Sequence, residues 1–104
     1  MKMAFIGGKI ASAGFKALGA DVFDVPAPVD ARAAWRRVKP EDYAIIFITE
    51  PEYEVLAEEL EPLRRLTVPV VTVVPPVEGA GQAGRDEIRA LVERAVGTDA
   101  MFRD

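Results

Sequence analysis

The chain has 104 residues, half of them apolar and 29% charged, with a formal net charge of −4 and neither cysteine nor histidine. That length suits one domain with a real core. The missing side chains exclude disulfides, thiolate nucleophiles, thiolate metal sites and imidazole proton transfer near neutral pH. The acidic balance argues against a nucleic-acid partner, and the cluster Arg32, Arg36, Arg37 and Lys39 reads as a solvated helix face. No apolar run approaches the roughly 20 residues that cross a bilayer. The opening Met1-Lys2-Met3-Ala4-Phe5-Ile6 is too short for a secretory signal, so cytoplasmic residence is the expectation.

In chain order, Met3 to Ile6 reads as a buried strand. A double glycine, Gly7-Gly8, and Lys9 follow, in the stretch FIGGKIASAGFKALG. A first helix is expected from Ile10 or Ser12 to Leu18, with Ala11, Phe15 and Leu18 on one stripe and Gly19 as its stop. Gly14 falls inside it, at a site of close packing against the sheet. Asp21 to Val25 is a short second strand. Ala31, Ala34, Trp35 and Val38 then recur at helical spacing with arginines opposite.

Tyr43 to Thr49 (YAIIFIT) is the strongest strand, its hydrophobicity continuous, as in a strand covered on both faces. The third helix runs from Glu50 to about Leu66, with Tyr53, Leu56, Ala57, Leu60 and Leu63 facing inward. Thr49 and Glu52 match a capping box, and Pro51 fits the first turn. Pro62 should kink this helix or end it early. Val70 to Val74 (VVTVV) is a β-branched strand bounded by prolines. The segment 75–84 reads as a mobile Pro/Gly loop joining the α/β core, 1–74, to the C-terminal segment, 85–104. In that segment a fourth helix, Asp86 to Val96, carries Ile88, Leu91, Val92 and Ala95 and should end near Gly97.

The order β-α-β-α-β-α-β-α with right-handed crossovers gives a small doubly wound α/β fold on a four-stranded parallel sheet. The expected strand order is 2-1-3-4, the receiver and flavodoxin arrangement without its last strand. Ligands of such sheets bind at the carboxyl ends of the strands, where the order reverses. Here Gly7, Gly8, Lys9, Thr49 and Glu50 would line that crevice. Yet Gly7-Gly8-Lys9 lacks the spacing of a P-loop and of a dinucleotide fingerprint. Glu50, Glu52 and Glu54 crowd the neighbouring helix start and would repel a phosphate. The double glycine therefore reads as a turn, and a small-ligand or nucleotide site there is the alternative. Receiver chemistry also fails, because acidic residues are missing after the first strand and an aspartate after the third. No catalytic constellation, cofactor site or metal site is expected.

The C-terminus is not explained by the fold. The chain continues past Gly97 as TDAMFRD, placing Met101 and Phe102 in a terminal tail where apolar side chains need cover. The tail folds back on its own domain or docks onto another chain.

MAFIGGKIASAGFKALGADVFDV, with Gly14, Phe15 and Gly19, resembles the opening of the F subunit of V-type and archaeal-type rotary ATPases. DYAIIFITE, VPVVTVVP and DEIRALVERAVGTD, with Gly97 and Asp99, are similar to its third strand, fourth strand and last helix. The resemblance covers essentially the whole chain in the same order and length. It implies a non-catalytic rotor component of the central stalk that binds the coiled-coil D subunit, the shaft, within the ring of catalytic and nucleotide-binding subunits. Such a component lies at the membrane periphery, in the soluble ATPase sector, and supports or regulates ATP hydrolysis or synthesis coupled to ion transport. On that reading an amphipathic last helix lies against the partner. Val92, Val96, Met101 and Phe102 are its expected apolar anchors, and Arg85, Arg89 and Arg94 its rim charges. Ile88, Leu91 and Ala95 are left for the core.

Overall fold

A computed structural model describes residues 2–76 and 81–100, with side chains placed for 2–76 and 84–95. Four parallel strands are each followed by a helix: β1 (Met3–Gly7), α1 (Lys9–Ala17), β2 (Asp21–Asp24), α2 (Ala31–Trp35), β3 (Ile45–Thr49), α3 (Glu50–Arg64), β4 (Val70–Val74) and α4 (Gly81–Ala100). The sheet order is β2-β1-β3-β4, all pairs parallel. This is the doubly wound α/β arrangement expected from the alternation of apolar runs and helical stripes.

The pleat of the two central strands explains why their hydrophobicity is continuous. Side chains alternate between faces, so Ala4, Ile6, Ile46 and Ile48 enter one layer and Phe5, Ile45 and Phe47 the other. The first layer is closed by Ala31 and Ala34 of α2 and by Leu56 and Leu60 of α3. The second is closed by Ala11 and Phe15 of α1 and by Ile88 and Val92 of α4. There the Phe15 ring stacks on Phe5 at 4.3 Å between centroids and meets Phe47 at 5.0 Å. Aromatic pairs at such distances add about 0.5–1.5 kcal/mol beyond their burial.

Gly19 ends α1 as its position suggested. Its φ of 96° is left-handed. The Gly19 N–H donates to the Lys16 carbonyl at 3.0 Å and the Ala20 N–H to the Phe15 carbonyl at 3.1 Å. That pair of bonds is the Schellman closure, which glycine allows at little steric cost.

Several local expectations need correction. Helix α2 stops at Trp35 and is preceded by a 3-10 turn, Pro28–Asp30, although Val38 is still buried beyond it. Helix α3 ends at Arg64, two residues past Pro62. A proline so near a C-terminus removes only one intrahelical bond, and the helix ends soon after it. Thr49 makes no side-chain bond to the backbone of α3. Its hydroxyl instead donates to the Glu52 carboxylate, and both residues are buried. The capping-box pattern is therefore realised as a side-chain pair.

Helix α4 begins at Gly81, inside the segment read as a loop, and continues through Gly97 to Ala100. Glycine costs a helix interior only about 1 kcal/mol relative to alanine, so it stops a helix only where the chain also turns left-handed. Gly14 does sit at a close approach, but to a helix and not to the sheet. A Cβ on Gly14 would collide with the Ile88 Cδ1 and come within 3.5 Å of its Cγ1.

Candidate functional site

Among the described residues, two places could engage a ligand or partner: the carboxyl-end crevice between β1 and β3, and the surface formed by α4 and the free edge of β4.

Within the crevice, Phe5 and Thr49 pack closely on the backbone at Gly7. A Cβ on Gly7 would lie 2.6 Å from the Phe5 Cζ and 2.7 Å from the Thr49 Oγ1. Glycine is needed there to admit the phenyl ring and the Thr49 hydroxyl. Gly8 has nothing within 4 Å of a built Cβ and adopts an ordinary extended φ of −70° and ψ of 166°. Neither glycine has a positive φ. The pair stands where the chain turns from β1 into α1: Gly7 makes room, and Gly8 is the cap residue of α1. The Ser12 hydroxyl donates to the Gly7 carbonyl at 3.4 Å. Lys9 and Glu50 are exposed, and the buried Glu52 holds Thr49. A carboxylate at the start of α3 already satisfies that helix dipole. Among the described residues no group of three or more acidic side chains is placed to hold a metal ion.

A second polar cluster lies at the opposite end of the sheet. The Tyr43 hydroxyl donates to the Asp21 carboxylate at 2.9 Å, and the Lys2 ammonium lies 3.7 Å from the same carboxylate. Burial first, then the Asp21 hydrogen bond and the negative charges of Asp21 and Asp42, push the Tyr43 phenol up to about 12. The cluster ties the starts of β1, β2 and β3 together.

The α4 surface differs from its expected phasing. Val92 is 7% exposed and packs with Ile88 in the core, so it is not available as a partner anchor. Leu91 and Ala95, assigned to the core from periodicity, are half-buried at its margin. The cause is the Gly14 gap. Ile88 enters it, which centres the inward stripe on Gly84, Ile88 and Val92 and turns Leu91 and Ala95 toward β4. Arg85, Arg89 and Arg94 are exposed. The side chain of Val96, and Met101 and Phe102 altogether, lie outside the described residues.

Because α4 leans on α1, it leaves β4 partly uncovered. An open groove of about 540 Å³ runs between them, its walls including Val68, Val70 and Thr72 on one side and Leu91, Arg94 and Ala95 on the other. Val68 and Val70 are 58% and 46% exposed, with Leu66 beside them at 55%. The two sheet edges are unlike. Strand β2 carries Asp21 and Asp24, both exposed, whereas β4 carries no charge from Val70 to Val74. Charges on an edge strand discourage further pairing, and an apolar uncharged edge invites cover. This groove was the site that sequence reasoning missed. Its signal was present: a charge-free VVTVV run assigned to the last position of the 2-1-3-4 order.

Fold and surface together define a small parallel α/β domain with an apolar, open β4–α4 flank. Residues 3–92 match the family of the ATP synthase (F/14-kDa) subunit. The F subunit of the V-type ATP synthase of Clostridium perfringens is 34% identical over 100 residues, covering 96% of this chain and 95% of the relative. Its counterpart in Fusobacterium nucleatum is also 34% identical with the same coverage. That of Clostridium botulinum is 32% identical, covering 96% and 97%. The chain belongs to the ATP synthase (F/14-kDa) subunit family, as the resemblance of its strands and last helix implied.

Proposed function

We propose that this protein is a non-catalytic subunit of a V/A-type rotary ATPase or ATP synthase. In that role it sits in the central stalk and binds the coiled-coil D subunit, the shaft, through α4 and the groove beside it. The observation that carries the reading is the open apolar flank of β4 and α4. Val68 and Val70 on one wall and Leu91 and Ala95 on the other line the same groove there. Family membership supports the assembly, since the relatives bear the name of a V-type ATP synthase component. The close packing of Phe5 and Thr49 on Gly7, between β1 and β3, supports a role by contact.

The partner surface is shifted from its first phasing. Leu91 takes the place of Val92 as the apolar anchor, and Val96, Met101 and Phe102 are kept as anchors of the C-terminal segment on the strength of the sequence alone. Arg85, Arg89 and Arg94 form the rim. Exposed rim pairs contribute at most about 1 kcal/mol each, so the apolar strip dominates affinity. No helix among the described residues is long and apolar enough to cross a membrane, which fits a peripheral position in the complex. The catalytic-ring subunits are further neighbours in this arrangement.

Co-expression with the neighbouring subunits of the assembly tests the proposal. A long helical coiled-coil protein should co-purify with this chain. The double truncation Met101→Ala with Phe102→Ala should weaken that association and leave the thermal unfolding temperature nearly unchanged. Recovery of this chain alone in every combination would overturn the proposal.

A further inference from the structure

We draw no further inference here: the strongest candidate, the apolar groove between the free edge of β4 and α4, belongs to the surface already proposed for the shaft partner, and nothing among the described residues shows what else covers it.

Discussion

The packing of α4 onto α1 depends on one missing side chain, and Gly14→Ala tests it. The new methyl would overlap the Ile88 Cδ1, while its Cγ1 at 3.5 Å and Cβ at 3.7 Å would lie in ordinary contact. Ile88 is 2% exposed, so it can yield only by repacking or by moving α4. Overpacking of this kind costs about 1–3 kcal/mol. Replacing a helical glycine by alanine returns up to about 1 kcal/mol of propensity. The net expectation is a loss of roughly 0–3 kcal/mol, too broad for a single variant to decide. The cycle with Ile88→Val is decisive, because valine lacks the Cδ1 that the methyl would strike.

Ile88→Val alone should cost about 0.5–1.5 kcal/mol. In that background Gly14→Ala should become neutral or stabilising by up to about 1 kcal/mol, which gives a coupling of about 1–3 kcal/mol. Urea denaturation of the four proteins measures it. Additive effects would refute the claim that the Gly14 gap sets the phase of α4, and with it the reassignment of Leu91.

The remaining predictions concern the crevice and the polar cluster. Gly7→Ala should destabilise by about 1–3 kcal/mol, since its Cβ meets Phe5 and Thr49 at 2.6 and 2.7 Å. Gly8→Ala has open space around it, but alanine caps a helix less well than glycine, so the cap loss and the entropic gain should offset to within about 1 kcal/mol. Equal losses at both in denaturant melts would contradict a packing role for Gly7 alone. Isothermal titration with ATP, ADP or phosphorylated metabolites should give no specific heat, whereas tight binding abolished by Lys9→Ala would restore the small-ligand reading of Gly7, Gly8 and Lys9. The Tyr43 phenol rises from 10.0 to about 12 on folding, so folding favours its neutral form. Its contribution is complete below pH 10 and is lost as the pH climbs through about 12. Tyr43→Phe should therefore flatten the fall in stability across that window, and an unchanged alkaline slope in pH-dependent melts would count against the cluster.

How far the chain could be read from its residues depends on the range of the interactions involved. The sheet order, the buried pairs of β1 and β3, and the Gly19 stop were legible, because local periodicity and chirality dictate them. The phase of α4 was not. Ile88, Leu91, Val92 and Ala95 make an equally good stripe with either Leu91 or Val92 innermost. The choice is made by Gly14, 74 positions upstream of Ile88. Residues 81–84 and Gly97 misled for a related reason, since glycine-rich composition marks a loop only where the backbone takes glycine-specific angles. Thr49 and Glu52 were recognised as a pair, but the pattern could not tell a backbone cap from a bond between the two side chains. The open flank of β4 followed from strand order and the absence of charge in VVTVV, two facts that gain meaning only when combined.

Binding of purified chain to the coiled-coil shaft protein, titrated with and without Val68→Glu and Val70→Glu, is the sharpest examination of the proposed role. Both side chains are about half exposed or more, so neither change should alter the melting temperature appreciably. Loss of apolar anchors at a hot spot predicts a weakening on the order of tenfold or more for the paired variant. Undiminished affinity in a folded double variant would contradict docking along the β4–α4 groove.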